Sequence, residues 1–401
     1  MKRAYKYRIY PNKDQQKLLN QHFGCVRLIY NKALAFKEEQ YKLGNKINCY
    51  EIKKLIPLWK EELPFLKNIN SLSLQQSVLN LDTAYKRYYK KLGGEPNFKS
   101  KHKHRYSFTV PQNTKVDFDK SLVIIPKFLS GIKCVFHKKF TGKISSSTVS
   151  KTPDGKYYIS ILVDIELSKK ELKNNTIGID LGLKEFLITS DNQRIPNPRF
   201  LRTSLPRLKR LQRNLSKAKK GSNNKNKKRI KLALLHRKVF NQRNDFLHQV
   251  SRNLVNNNNV IAVESLAVKN MVKNKKLSKS ISDVSWSRFV TFLEYKLNDR
   301  DGNLIKINTF FPSSKTCRHC GYINKELKLS DRYWCCPSCN NQIDRDLNAA
   351  VNIKLEGLRL SNTVGTTELQ ACGDYVSLGV NQAVVNESGS LLHNNSVICC
   401  R

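Results

Sequence analysis

Residues 176–182 read TIGIDLG, and residues 185–191 read EFLITSD. Both are apolar runs of strand length, and a tight glycine-bearing turn separates them. Asp180 interrupts the first run. A carboxyl in an apolar strand is costly unless something pairs with it. The pattern returns downstream in NVIAVESL (259–266), where Glu264 sits at the end of an apolar run, and LIKINTFF (304–311) supplies another strand. A third acid, Asp346, lies in DRDLNAAVNI (344–353), and the spacing of Ala349, Ala350, Ile353 and Leu355 predicts a helix opening at Asp346.

Taken singly, each acid has a structural explanation. Asp180 can serve the turn before Gly182, Glu264 can partner a buried lysine, and Asp346 can favour a helix N-terminus through capping and the dipole. Their order changes the reading. An Asp on the first strand of a short meander, a Glu on a later strand and an Asp opening a late helix is the ribonuclease H-like layout, in which carboxylates meet above one sheet edge. Converging carboxylates need a counter-charge, and Mg²⁺ is a hard cation that prefers oxygen ligands. Two such ions about 3.5–4 Å apart can activate a water and stabilise the leaving 3′ oxygen of a phosphodiester. Asp180 is then the expected bridging ligand, with Glu264 and Asp346 holding one side each.

The cysteines give a second signal. Eleven are present, and Cys317, Cys320, Cys335, Cys336 and Cys339 crowd into 23 residues, 317–339. Cys317-x2-Cys320, fifteen intervening residues and Cys336-x2-Cys339 form the spacing of a four-thiolate zinc ribbon. Four thiolates complete a tetrahedral shell and leave no open position, so the expected zinc is structural. Cys335 competes with Cys336 for the third place, and the two-residue spacing favours Cys336. His319 reads as a surface residue.

Outside these motifs the chain changes period twice. Apolar positions Leu19, Phe23, Val26, Tyr30 and Ala33, and later Leu74, Val78, Leu81, Tyr85, Tyr88 and Leu92, place stripes on helices within residues 11–104. The basic, tyrosine-rich opening MKRAYKYRIY reads as a strand. Between Arg105 and Leu167 the period becomes two, with Pro153-Asp154-Gly155 turning one hairpin. If the opening strand joins these, the helices are an insertion into a β-barrel-like body. Beyond Leu358 periodicity fades, and 358–401 is expected to be a disordered tail.

Charge narrows the class further. The 401 residues carry 73 Lys+Arg against 31 Asp+Glu, a net charge of +42. With 39% hydrophobic residues the charge belongs to a folded body of two or three domains. Self-repulsion of this size asks for a polyanion, and nucleic acid is the default. Residues 201–240 hold fifteen Lys or Arg and no acid, which points to phosphate contacts rather than a merely solvated face. No apolar run is long enough to cross a bilayer, and Met1 to Lys13 lacks the apolar region of a secretory signal. The expectation is a cytoplasmic protein, nucleoid-associated when bound to DNA, with no membrane partner.

These residues together resemble the TnpB family, transposon-encoded proteins long described as OrfB-type transposases and related to type V CRISPR effectors. The likeness spans about residues 1–355. It rests on KRAYKYRIYPNKDQQKLL with GCVRLIYNKAL, EPNFKSKHKHRYSF (95–108), IGIDLGLKEF, VIAVESL, FFPSSKTCRHCG and CPSCNNQIDRDLNAAVNI. The resemblance implies an RNA-guided DNA endonuclease of α+β multidomain architecture. It assigns 1–10 and 105–170 to a wedge domain, 11–104 to a helical recognition module, 171–312 and 342–357 to a RuvC-like nuclease domain, and 313–341 to the inserted zinc ribbon. It also implies catalytic Asp180, Glu264 and Asp346, zinc on Cys317, Cys320, Cys336 and Cys339, a guide RNA from the transposon end, and double-stranded target DNA. Base pairing would read sequence while the protein supplies charge and shape. Two other functions stay open: a strand-joining transposase, and an accessory or regulatory DNA-binding protein that does not cut.

Overall fold

The computed structural model describes residues 1–101, 106–166, 175–328 and 330–364. Residues 102–105 of the quoted 95–108 motif lie outside the described residues. So do 365–401, with Cys372, Cys399 and Cys400. Chain contacts separate two units, residues 1–166 with 207–237, and residues 175–206 with 238–364.

In the first unit, strand β1 (Lys2–Tyr10) leads into helices α1 (Lys13–Lys42), α2 (Cys49–Lys54), α3 (Ile56–Glu62) and α4 (Ser71–Tyr89). Strands β2 (Tyr106–Val110), β3 (Lys115–Asp117), β4 (Leu122–Ile125), β5 (Phe128–Val135), β6 (Lys143–Lys151) and β7 (Tyr157–Asp164) follow. α1 starts where Asn12 and Gln15 form a reciprocal capping box, which satisfies two orphan N–H groups. β7 alternates buried and half-buried residues without a break, as a strand with one face on a core must. The seven strands pair in the order β2-β6-β7-β1-β5-β4-β3. β1 therefore does join the later strands, antiparallel to β7 and β5. β2 and β3 are the two edges, so the expected barrel-like body is an open sheet in its hydrogen bonding among the described residues. One core, including Tyr7, Leu19, Ile29, Leu74 and Ile161, serves sheet and helices alike.

The second unit contains β8 (Thr176–Leu181), β9 (Glu185–Thr189) and β10 (Arg194–Pro196), then α5 (Phe200–Ser216) and α6 (Asn223–Asn257). It continues with β11 (Val260–Glu264), α7 (Val268–Met271), α8 (Ser278–Val284), α9 (Trp286–Asn298), β12 (Asn303–Ile307), β13 (Tyr333–Cys335), β14 (Gln342–Asp344) and α10 (Arg345–Val364). Residues 207–237, from α5 and α6, group with the first unit, although the resemblance placed all of 171–312 in one domain. α10 runs to Val364, so residues 358–364, expected in the tail, are helical.

Five strands pair in the order β10-β9-β8-β11-β12. β8, β11 and β12 are mutually parallel, and β9 and β10 run antiparallel to their neighbours. Strands β8 and β11 are apolar on both faces because both faces are covered. Phe289, Leu293 and Leu297 of α9 and Leu247 and Leu254 of α6 pack in one core with Ile177, Ile179, Ile261 and Val263. Ile353 of α10 packs separately with Ala262 and Ile307.

Candidate active site

Parallel strands deliver their C-terminal ends to one rim. Asp180 is the penultimate residue of β8, Glu264 the last of β11, and Glu264 pairs in register with Ile307, the last of β12. All three sequence-predicted acids, Asp346 included, are half-buried. Burial pushes the Asp180 carboxyl up to about 7, and the nearby charges of Glu264 and Asp346 push it the same way. Glu264 is also raised, by burial. Acids more than 160 positions apart in the chain thus share one electrostatic environment. Among the described residues the three acids' oxygens do not all lie within 4.8 Å of one another; the group that does is a cysteine quartet.

The third acid arrives by close backbone packing. A Cβ added at Gly178 would stand 2.2 Å from the Ala350 carbonyl oxygen and 2.5 Å from the Lys354 nitrogen. Only glycine lets α10 lie on β8 at this distance. Asp344 caps α10, its Oδ1 accepting from the N–H groups of Asp346 and Leu347 at 3.0 Å each, while Arg194 donates to its Oδ2 at 2.6 Å. Asp346 is thereby fixed in the first turn of the helix.

Two arginines meet Asp346. Arg332 Nη1 donates to both carboxylate oxygens, at 2.8 and 3.1 Å, and Arg345 Nε stands 3.6 Å from Oδ1. Sequence reasoning missed both. Arg332 belongs to the cysteine-rich segment and carries no local pattern that announces its partner, whereas Arg345 is simply the neighbour of Asp346 in the chain.

That segment holds Cys317, Cys320, Cys336 and Cys339, whose sulfurs all lie within 4.8 Å of one another. Cys317 and Cys339 are 3.7 Å apart, and Cys320 and Cys336 are 3.5 Å apart. Cys335 is turned elsewhere, its Sγ on the Asn340 carbonyl at 3.3 Å, so Cys336 is the member of the quartet. Backbone and side-chain N–H groups of Asn341 hold the Cys339 thiol down at about 6, toward the thiolate that a metal needs. The four sulfurs fit a tetrahedral zinc ion. Its surroundings are thin, with Trp334 and Ile343 the other fully packed residues of this small core.

Asn348 and Asn352, buried and one turn apart on α10, tie this segment to the helix. Asn348 Nδ2 donates to the Thr316 carbonyl at 2.6 Å, and its Oδ1 accepts from the Arg318 N–H at 3.0 Å. Asn352 Nδ2 donates to the carbonyls of Ser313 and Thr316, both at 2.7 Å. The backbone on either side of Cys317 is therefore anchored to the helix that carries Asp346. The signal was available in the sequence, since two asparagines four apart among Ala and Ile residues are out of place on an apolar face.

The molecule is thus an α+β protein with a cysteine quartet tied to an acid-bearing helix. Its residues 158–275 match the family described as "Probable transposase", residues 286–353 match "Cas12f1-like, TNB domain", and residues 1–46 match "Helix-turn-helix domain". In this last region the chain forms β1 and one continuous helix. The chain is 34% identical to a "Putative RNA-guided DNA endonuclease" of Streptomyces pristinaespiralis, over 94% of this chain and 92% of that one. It is 31% identical to "Putative RNA-guided DNA endonuclease InsQ" of Escherichia coli, over 94% and 95% respectively. It is 28% identical to "TnpB-like protein L79" of Acanthamoeba polyphaga mimivirus, over 88% and 73%. This chain belongs to the TnpB family. A solved Cas12f1–sgRNA–target DNA complex overlays with a TM-score of 0.48 at 15% identity, covering 88% of this chain and 98% of that one. No described helix is long and apolar enough to cross a membrane.

Proposed function

We propose that this protein is an RNA-guided DNA endonuclease of the TnpB type, cutting at a RuvC-like carboxylate site made of Asp180, Glu264 and Asp346. One observation carries the reading: the Asp180 carboxyl is held near 7 by burial and by the charges of two acids distant in sequence. Such crowding is unfavourable by itself and becomes useful when a divalent cation shares the carboxylates. The strand order, with β8 central and β11 and β12 parallel to it, supports a ribonuclease H-like domain.

Asp180, Glu264 and Asp346 would hold the ion through their carboxylates. Bound magnesium supplies Lewis acidity for an attacking water and for the leaving 3′ oxygen. Arg332 pairs with Asp346, and the Asp344 cap and the Gly178 contact hold that acid in place. The four cysteines would take zinc as a structural ion. Guide RNA and target DNA are the partners that the relatives' names support, and a net charge of +42 suits an RNA–DNA duplex. A guide from the transposon end, and residence in the cytoplasm and nucleoid, belong to the same proposal.

The test is cleavage by protein purified with its copurifying RNA, sequenced to identify the guide. Asp180→Ala should abolish Mg²⁺-dependent cutting and leave RNA and duplex affinity within about twofold. Parallel loss of binding would make the acids structural, and intact binding with no cutting by the wild type would favour an accessory binder. The matching "Probable transposase" description gives the strand-joining alternative a basis. Free 5′-phosphate ends without joined strands exclude it.

A further inference from the structure

Phe310 is 91% exposed, more than any other large apolar side chain described. Lone exposed apolar residues are ordinary. This one differs in how it is held and where. Thr309 Oγ1 donates to the Ser265 carbonyl at 2.5 Å, and the Phe310 N–H donates to Asn308 Oδ1 at 2.9 Å. Phe311 on the other side packs against the Ala262–Ile307–Ile353 cluster. The ring therefore stands on a fixed turn and has no aromatic or cationic partner among the described residues. Ser265 directly follows Glu264 and donates its N–H to the Ile307 carbonyl at 3.1 Å. The turn and the proposed acid thus leave the same end of the paired strands β11 and β12.

We propose that Phe310 is a stacking platform for one unpaired base of the DNA strand engaged at the carboxylate site, an inference that rests on the nuclease reading above. Every base offers an apolar face, and stacking on a protein ring tolerates any sequence. A base inside a duplex is already stacked on its neighbours, so the platform selects strand that has been opened. Cations hold phosphates but leave the base free to swing. A ring beside the acid fixes the nucleotide next to the bond to be cut, and because hydrogen bonds already hold the turn, little further ordering is needed on binding. Phe310 is a positioning residue in this scheme and moves no proton.

The test uses guide-loaded protein and single-stranded DNA in which an abasic nucleotide is stepped through the positions flanking the cut. In the wild type, one abasic position should raise KM about tenfold, the size of one lost stacking contact. Phe310→Ala should raise KM by the same factor on intact DNA and add no further loss at that position. Phe310→Trp should restore the intact-DNA value and Phe310→Leu should not. Additive penalties, or leucine serving as well as tryptophan, overturn the inference. A readout independent of cutting is photocross-linking of 5-iodouracil DNA with Ca²⁺ in place of Mg²⁺. Adducts on the peptide containing Phe310 support the platform, and adducts confined to other peptides overturn it. Wild-type protein that cross-links there but never cuts sinks the nuclease reading and leaves the platform standing.

Discussion

At the scale of single residues, Asp180 sets the pH behaviour. Its carboxyl is raised from an ordinary 3.8 to about 7, so the folded chain holds this proton more tightly than the unfolded chain does. The contribution to stability is full below about pH 4 and is lost as pH rises through about 7. The melting temperature of metal-free protein should therefore fall across that window, and Asp180→Asn should flatten the slope. Equal slopes in the two proteins would place the proton elsewhere. Asp180 and Glu264 were legible in the sequence because an acid inside an apolar strand is conspicuous. Arg332 was not, because its bond to Asp346 bridges fourteen positions and depends on how the cysteine-rich segment folds back.

At the scale of elements, α10 gathers the parts. Its close approach to β8 makes Gly178 intolerant of any side chain. Gly178→Ala should destabilise the protein by about 1–3 kcal/mol through overpacking and lower cleavage more than guide binding, measured by melting and turnover together. Asn348→Ala would leave the Arg318 N–H without its side-chain acceptor, while the Thr316 carbonyl keeps Asn352, at a cost of about 1–3 kcal/mol read by melting. Zinc removal should act through the same joint. The quartet's core is too small to order the segment alone, so a chelator should loosen residues 313–341 and slow cleavage, with hydrogen exchange rising there first. Unchanged exchange in the chelated protein would show that the segment needs no metal. The sequence displayed the strands, both cysteine pairs and the helix after them. It could not display the Gly178 contact, which exists only once helix and sheet meet, nor the last turn of α10 to Val364, where apolar periodicity had already weakened.

At the scale of the whole molecule, charge was the plainest message of the sequence. Of the fifteen cations in residues 201–240, Arg237 alone has an acidic partner among the described residues, Asp154 in the β6–β7 turn. Lys225 and Arg229 donate to the carbonyls of Ala218 and Pro153, and the run keeps exposed lysines that can meet phosphate. Replacing exposed Lys217, Lys219, Lys220, Lys227 and Lys231 with Gln should reduce the salt slope of nucleic-acid binding by about four, and an unchanged slope would assign that run to solvent. Composition could not reveal that residues 207–237 group with the first unit, because a uniformly basic stretch carries no mark of which core its leucines join. In the function proposed above, three acids give this basic body its chemistry, and anomalous scattering from crystals soaked in Mn²⁺ tests that directly. The account predicts manganese peaks bound by Asp180, Glu264 and Asp346 that vanish in Asp180→Ala. Peaks at other side chains, with these three carboxylates unligated, would contradict it.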